Sequence, residues 1–216
     1  LSQKAQRVKD YEEAIEKMGN VWAEFKFDGT RVQLHFDKTK KMREENNGLF
    51  ENEEKFMVKT FSRNLEETTK MFPDLLEAAQ NQLKADSAIL DGEAIGYDNQ
   101  SGDFLPFQEM MHRKRKHNVA QAVLDIPLKY YVFDLLYLNG KSLIDKPLTE
   151  RKEKLKQIVG KGNTILVDEH VETDKPDELY DYFKIAKEKN LEGLIVKKPD
   201  DAYQAGARSY SWVKLK

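Results

Sequence analysis

The chain has 216 residues, a formal net charge of −2 and no cysteine, a length sufficient for one sizeable core and at most two domains. The absence of cysteine excludes a disulfide framework and a thiolate metal site. No apolar run approaches the length of a membrane span and the N-terminal residues lack a secretory pattern, so we expect an intracellular protein without a membrane partner.

Local patterns predict a mixed series of helices and strands. The first half predicts a helix over 4–18, strands over 21–27 and 30–36 joined by a tight turn at Asp28-Gly29, an exposed loop or hairpin tip over 38–55, a strand over 56–61, a helix from Pro73 to about Leu83, and a strand over 87–97 broken at 91–93. The second half predicts a basic helix over about 106–123, a long apolar strand over 128–138, a helix to about Val159 capped by Thr149, a strand over 164–167, a helix over 176–189, and strands over 193–197 and 211–216. Because helices and strands do not alternate regularly, we expect an α+β fold with largely antiparallel sheets.

Charge is distributed unevenly along the chain. Residues 43–55 hold five glutamates against two cations, whereas residues 197–216 hold five Lys or Arg against two Asp. Residues 113–116 read Arg-Lys-Arg-Lys. This basic run is either a solvated helical face or a sequence-independent contact with DNA phosphates. Since the net charge is slightly negative, any nucleic-acid partner would have to be bound by such segregated cations.

Lys26 is the candidate nucleophile of the chain. It lies between Phe25 and Phe27 at the end of a predicted strand, and Arg31 follows a short turn. A lysine amine attacks phosphorus or carbonyl carbon only in its neutral form, which desolvation or neighbouring positive charge favours. Other charged residues also lie within or beside apolar strand-like runs, where a charge is unfavourable unless it is paired or binds a ligand. They are Glu93, Asp134, Glu192, Lys197, Lys214 and Lys216.

Six short motifs occur in a defined order along the chain. The first is Lys26-Phe27-Asp28-Gly29-Thr30-Arg31. The others are Phe-Ser-Arg-Asn at 61–64, Leu-Asp-Gly-Glu at 90–93, Tyr-Val-Phe-Asp-Leu-Leu-Tyr at 131–137, Glu-Gly-Leu-Ile-Val-Lys at 192–197 and Ser-Trp-Val-Lys-Leu-Lys at 211–216. Together they resemble the adenylation domain of ATP-dependent DNA ligases, most closely the replicative type of archaea and eukaryotes. The resemblance runs from about Trp22 to Lys216 and implies one adenylation domain over 1–216 with a nucleotidyltransferase (ATP-grasp-like) fold.

The resemblance also implies a role for each site residue. Lys26 would attack the α-phosphorus of ATP and form lysyl-AMP, while Glu24 would lie beside the adenine and Phe133 would stack on it. Arg31, Arg63 and Glu93 would contact the ribose and the flanking phosphates. Lys197, Lys214 and Lys216 would contact the α-phosphate. Glu192 would help to bind Mg²⁺ or another divalent cation, with Asp134 nearby. Carboxylate oxygens suit Mg²⁺, and cations neutralise the charge of a reacting phosphate.

The implied partner is nicked double-stranded DNA. AMP would pass to the 5′-phosphate of the nick, and the 3′-hydroxyl would then displace it, in replication, repair or recombination. Family members normally continue into an OB-fold, and larger ones carry an N-terminal DNA-binding domain. Neither is found in this sequence, so we expect these residues alone to adenylate slowly and to seal nicks poorly. A sliding clamp is a further expected partner, in the cytoplasm or nucleoid of a prokaryote or the nucleus of a eukaryote.

Two alternatives share the Lys-x-Asp-Gly signature at 26–29. One is an mRNA-capping guanylyltransferase or RNA ligase, although the stretch from Phe133 to Gly140 is more similar to DNA ligases. The other is a nucleic-acid-binding module of the same fold that has lost its chemistry. The presence of Lys26, Glu192 and Lys214 disfavours that second alternative.

Overall fold

The structure is a computed structural model that describes residues 1–42, 55–110 and 126–216. Residues 43–54, from the acidic segment, lie outside the described residues. So do residues 111–125, which include most of the basic helix predicted over about 106–123 and the Arg-Lys run at 113–116. None of the described helices is long and apolar enough to cross a membrane.

The described residues form two sheets. A five-stranded sheet has the order β1-β11-β10-β2-β9, and a six-stranded sheet has the order β4-β3-β5-β6-β7, with β8 paired to β6. The strands are β1 Lys4–Arg7, β2 Val21–Lys26, β3 Thr30–Met42, β4 Lys55–Ser62, β5 Ser87–Gly96, β6 Leu128–Leu138, β7 Lys141–Ser142, β8 Ile165–Val167, β9 His170–Thr173, β10 Gly193–Lys197 and β11 Arg208–Leu215. Most pairs are antiparallel; β1 with β11 and β6 with β8 are parallel. The predicted α+β class is confirmed.

Four α-helices lie wholly within the described residues and pack on these sheets. They are α1 Tyr11–Met18, α2 Pro73–Gln82, α3 Leu148–Ile158 and α4 Pro176–Glu188. Helices α1 and α4 cover the five-stranded sheet, where Leu179 and Ala186 join a core with Val21 and Leu194. Helices α2 and α3 contribute to the core of the six-stranded sheet. Each sheet therefore has one face buried by helices, and the other face is available for a site.

The predicted helix over 4–18 is wrong in its first part. Residues Lys4–Arg7 form β1, whose main chain pairs with β11. The helix begins only at Tyr11, because Asp10 has an extended backbone and its side chain accepts a hydrogen bond of 2.9 Å from the main-chain N–H of Glu13. This is an N-cap, which satisfies one of the unpaired N–H groups of the first turn.

The strands on either side of Asp28-Gly29 do not pair with each other. Strand β2 belongs to the five-stranded sheet and β3 to the six-stranded sheet, so the predicted turn is a crossing between the two sheets. Gly29 is required there, since a Cβ on it would lie 2.4 Å from the main-chain oxygen of Ala94. The crossing places the end of β2 directly beside the start of β3.

Three further predictions need correction. Residues 38–42 continue β3 instead of entering a loop. Strand β5 is continuous through 91–93, where its register with β6 shifts. Helix α3 has Pro147 at its N-cap, so Thr149 lies inside the helix. Apart from the helix over about 106–123, most of which lies outside the described residues, the other predicted strands and helices are present with ends displaced by a few residues at most.

Candidate active site

A cleft of about 540 Å³ lies between the two sheets. Side chains alternate between the two faces of a strand, and residues opposite each other in a pair share a face. In β2 the alternation places Glu24 and Lys26 on the cleft side and Ala23 in the core. Register then adds residues of β10 and β11 to the same face, since Ile195 pairs with both Glu24 and Lys214. Ten of the eleven predicted site residues line this cleft; the exception is Asp134.

The cleft is strongly positive although the chain as a whole is slightly negative. Among the described residues that line it, eight are cationic and four carry a carboxyl group. The cations are Lys4, Lys26, Arg31, Arg63, Lys197, Arg208, Lys214 and Lys216, and the carboxyl groups are those of Glu24, Glu93, Asp168 and Glu192. A concave surface with such an excess of cations is suited to a polyphosphate ligand.

Lys26 is held in the cleft by Glu192. The two carboxylate oxygens of Glu192 form separate ion pairs, Oε2 with Lys26 and Oε1 with Lys216. The main-chain N–H of Glu192 also donates to the main-chain oxygen of Lys26, at 3.1 Å. One carboxylate therefore fixes the candidate nucleophile and a second lysine at the junction of β2, β10 and the end of β11.

Gly193 makes this junction possible. Its φ is +151°, and a Cβ on it would lie 2.1 Å from the main-chain oxygen of Leu215. Only glycine lets the backbones of β10 and β11 approach so closely. The close approach brings Glu192 and Lys216 within ion-pairing distance.

A second charged cluster occupies the part of the cleft wall around Glu24. Glu24 is 1% exposed and accepts a hydrogen bond of 2.6 Å from Lys152 on α3; its other carboxylate oxygen pairs with Lys197. Burial opposes the ionisation of Glu24, but the two ammonium groups outweigh it and lower its pKa. Burial and the nearby Glu24 carboxylate raise the pKa of Asp168 well above its ordinary value. The cluster therefore combines an ionised carboxylate with a carboxyl group that favours its protonated form.

Lys197 lies closer to Glu24 than to the nucleophile. It pairs with Trp22 across β2, four residues from Lys26, which corresponds to about 13 Å along a strand. Its ammonium lies 4.5 Å from the ring centroid of Phe133 and 4.4 Å from that of Trp212. The structure therefore places Lys197 against aromatic rings and away from the junction that holds Lys26.

Arg31 lies on the opposite wall and is also fixed by partners. Its guanidinium donates to both carboxylate oxygens of the buried Asp91, at 3.0 and 2.7 Å, and to the main-chain oxygen of Gln3 at 2.6 Å. Its Cζ lies 5.2 Å from the ring centroid of Phe133. The ring predicted to stack on a base is thus contacted by two cations, Arg31 and Lys197, and a base would share or displace one of these contacts.

Glu93, a second carboxyl group of β5, is the residue opposite Arg31 in the pairing of β3 with β5. Burial raises the pKa of Glu93 to about 8, and the Asp91 carboxylate adds to this effect against the opposing charge of Arg31. Near neutral pH Glu93 is therefore largely protonated and can donate a hydrogen bond through its O–H. Arg63, at the end of β4, is exposed at the rim of the cleft.

The structure does not bring Asp134 to the cleft. Asp134 and Arg151 are both 0% exposed, and the Asp134 carboxylate accepts hydrogen bonds from Nε and Nη2 of Arg151 at 2.7 and 2.9 Å. It also accepts one from the main-chain N–H of Leu135. Phe133 faces the cleft, so Asp134, the next residue along β6, faces away from it. The carboxylate of Asp134 is therefore paired with Arg151 outside the cleft. Within the described ranges no group of three or more acidic or histidine residues is arranged to hold a metal.

Sequence reasoning missed three residues of the site. Asp91 belongs to a motif at 90–93, but nothing local showed that it would hold Arg31. Lys152 lies in a helix with several other cations, and helical cations are usually solvated. Asp168 stands between two short strands and has no motif around it. A buried position for Lys152 and Asp168 follows only from the packing of α3 and β8 against β2 and β6.

The fold is shared with solved DNA ligase structures. A mycobacterial DNA ligase D complexed with ATP and MES matches with a TM-score of 0.65 and 23% identity, covering 98% of this chain and 58% of that one. A Chlorella virus DNA ligase–adenylate matches with a TM-score of 0.63 and 19% identity, covering 100% and 68%. The fold of this chain is therefore that of these DNA ligase structures.

Sequence comparison is more specific. The model of the ATP dependent DNA ligase domain matches residues 50–216. A probable DNA ligase of Dictyoglomus turgidum is 40% identical over 212 residues, and a DNA ligase of Sulfolobus acidocaldarius is 39% identical over 215 residues. Each match covers 98% of this chain, and the chain spans about a third of each relative's length, 34% and 33%. The chain belongs to the ATP-dependent DNA ligase family, and the resemblance stated from its motifs is confirmed.

Proposed function

We propose that this domain loads AMP onto Lys26 from ATP, as the first step of ATP-dependent DNA ligation. The observation that best supports this proposal is the junction where Glu192 pairs with Lys26 and Lys216, in a cleft lined by eight cationic residues. Membership of the ligase family supports ATP over GTP and DNA over RNA as the ligands of this cleft.

The proposed reaction is a displacement at phosphorus. The Lys26 ammonium loses a proton, its Nζ forms a bond to the α-phosphorus, and the bond to the bridging oxygen breaks to release pyrophosphate. The nitrogen loses a second proton as the phosphoramidate forms. Lys214 and Lys216 lie on the same strand face as Lys26, and they would neutralise charge on the non-bridging oxygens of the α-phosphate.

The nucleoside would occupy the remaining cleft. Glu24 would accept a hydrogen bond from the adenine amine, and Phe133 would stack on the base. The ribose and flanking phosphates would meet Arg31, Arg63 and Glu93. Glu24 and Lys26 are two residues apart on one strand face, about 7 Å along the strand, and each carries a long side chain, so one nucleotide can reach both. Lys197, predicted to contact the α-phosphate, would have to leave Glu24 to do so.

A divalent cation such as Mg²⁺ fits one position in the cleft. Mg²⁺ keeps several waters and is usually bound by one or two carboxylates together with substrate phosphates. Glu192 is a carboxylate beside Lys26, whereas Asp134 is enclosed by Arg151. Glu192 and the phosphates of ATP would therefore hold the ion, which supplies charge neutralisation when it is bound.

Later steps need partners beyond these residues. AMP would pass to the 5′-phosphate of a nick in double-stranded DNA, and the 3′-hydroxyl would displace it to seal the strand. An OB-fold and a DNA-binding domain would assist loading and DNA binding, with a sliding clamp as a further partner. The setting would be intracellular, at sites of DNA replication or repair.

Intact-mass measurement after incubation with ATP and Mg²⁺ tests the proposal. We expect an adduct of the mass of AMP that Lys26→Ala abolishes and that GTP does not produce. Lys59→Ala is a matched control, since Lys59 is a cation on β4 that pairs with Glu67 away from the cleft. Absence of an adduct, even with a supplied OB-fold domain, would instead support a binding module without chemistry, and labelling by GTP would support a guanylyltransferase.

A further inference from the structure

Asp168 is a buried carboxyl group at the wall of the cleft, and its side chain has no hydrogen-bond or ion-pair partner among the residues that the structure describes. It is 4% exposed, and it lines the cleft with Glu24. Its position is fixed, because its main-chain N–H donates to the main-chain oxygen of Val132 at 2.8 Å. It also connects the sheets, since it lies between β8 in one sheet and β9 in the other.

The two lysines of this cluster both pair with Glu24. Lys152 donates to one carboxylate oxygen and Lys197 pairs with the other, which leaves Asp168 beside an ionised carboxylate. A buried carboxyl group in this position is unfavourable as an anion unless it gains a hydrogen-bond donor.

The surroundings of Asp168 come from five elements. Glu24 on β2, Lys152 on α3 and Lys197 on β10 interact with it, and so do Tyr131 on β6 and Tyr182 on α4. The next residue, Glu169, adds a further negative charge. Burial and the Glu24 carboxylate raise the pKa of Asp168, against the two lysines. The protonated form has one O–H donor, from which a ligand in the cleft could accept a hydrogen bond.

We propose that Asp168 is a specificity-determining residue and that its side chain, as a neutral carboxylic acid, hydrogen-bonds to the base. Its O–H donates to a ring nitrogen of a 6-aminopurine that flanks the exocyclic amine, while the Glu24 carboxylate accepts from that amine. This inference rests on the proposed adenosine-nucleotide site. Glu24 and Asp168 together present one acceptor and one donor, which match the amine donor and the ring-nitrogen acceptor of adenine. Guanine has an acceptor oxygen in place of the amine, so it would place an oxygen against the Glu24 carboxylate.

Equilibrium binding of AMP tests this inference without requiring the chemical step. Titration calorimetry is carried out on the full chain and on Asp168→Ala, Asp168→Asn and the neighbouring control Glu169→Gln, whose side chain is exposed. We expect Asp168→Ala to weaken AMP binding by about tenfold, as for the loss of one hydrogen bond. Asp168→Asn keeps an N–H donor and should stay close to the unchanged chain at neutral pH, as should Glu169→Gln.

A pH series and two base analogues separate this role from a structural one. Wild-type affinity for AMP should fall as the pH rises through the pKa of Asp168, relative to Asp168→Asn, whose amide does not titrate. Either 1-deaza-AMP or 7-deaza-AMP should bind the wild type more weakly than AMP, and Asp168→Ala should remove that difference. Parallel pH profiles of wild type and Asp168→Asn, or equal binding of AMP and both analogues, would overturn the inference.

The two proposals fail differently. Binding of AMP with the expected Asp168 dependence, but no adduct on Lys26, would contradict the proposed function alone. An adduct on Lys26 together with AMP binding that is insensitive to Asp168 would overturn only the inference. If neither the unchanged chain nor any of the variants binds AMP, both proposals are overturned. If Asp168→Ala does not fold, the pH profile of Asp168→Asn and the analogues on the wild type still decide.

Discussion

Asp134→Asn should destabilise the domain strongly without changing its use of Mg²⁺. The substitution removes a negative charge while Arg151, which is 0% exposed, keeps its positive charge. Two of the hydrogen bonds of that guanidinium, at 2.7 and 2.9 Å, are made to Asp134. Its other acceptors are main-chain oxygens of Lys146 and Asp201, which cannot neutralise it.

The expected loss follows from leaving a buried charge uncompensated. Removing one partner of a buried ion pair costs about 3–5 kcal/mol. In a chain of this length that corresponds to a fall in Tm of roughly 6–20 °C. Asp181→Asn is the matched control, because Asp181 pairs with Lys184 at 2.7 Å on the surface of α4. Exposed pairs contribute about 0–1 kcal/mol, so this variant should be nearly as stable as the unchanged chain.

Urea denaturation and a Mg²⁺ titration of adduct formation on Lys26 measure the two effects separately. We expect a large loss of unfolding free energy for Asp134→Asn and an unchanged Mg²⁺ concentration at half-maximal rate, measured at a temperature where the variant is folded. The double variant Asp134→Asn/Arg151→Met should be less destabilised than the sum of the single variants. A loss below about 1 kcal/mol, or a shifted Mg²⁺ requirement, would refute the assignment of Asp134 to a structural ion pair.

Two further predictions concern Glu93 and the β10–β11 junction. Burial raises the pKa of Glu93 from 4.5 to about 8, so the folded state binds this proton more tightly than the unfolded state, and the free energy of unfolding should fall as the pH rises between these values, by up to about 1.4 kcal/mol per pH unit. In urea denaturation at pH 5 to 8, Glu93→Gln should remove this contribution to the pH dependence. An unchanged pH dependence in Glu93→Gln would contradict the assignment. Gly193→Ala should lower stability by about 1–3 kcal/mol and slow adduct formation, since the new Cβ meets the main-chain oxygen of Leu215. Gly140→Ala, at φ +86° with no atom within 4 Å, should lower stability by about 1 kcal/mol and leave adduct formation unchanged.

The strands of the core could be predicted because their apolar residues are local signals. Residues 128–138 and 193–197 are nearly continuous apolar runs, and their strands are found where the sequence predicts them. The edge strands β1, β7 and β9 are short, and what defines them is pairing with a neighbour distant in sequence. Which sheet a strand belongs to is also decided by pairing with strands distant in sequence. The Asp-Gly turn at 28–29 therefore indicates a change of chain direction, but not that β2 and β3 belong to different sheets.

Site residues on strands could be predicted better than the contacts between them. A charge within an apolar strand has to face a partner or a ligand, and this argument identified Lys26, Glu192 and Lys216 together. It could not distinguish a ligand from a partner within the protein. Asp134 satisfies the same argument by pairing with Arg151 on α3, a contact decided by helix packing.

The ion pairs of Glu192 connect the resting arrangement of the cleft to its chemistry. One carboxylate neutralises Lys26 and Lys216, which keeps two cations close together when no phosphate lies between them. A polyphosphate in the cleft would pair with the same two lysines, and a metal ion bound with it would be held by Glu192. Under the proposed function, exchange of these partners would free Lys26 from Glu192 only when the nucleotide is bound, and the same carboxylate would restrain the amine until then.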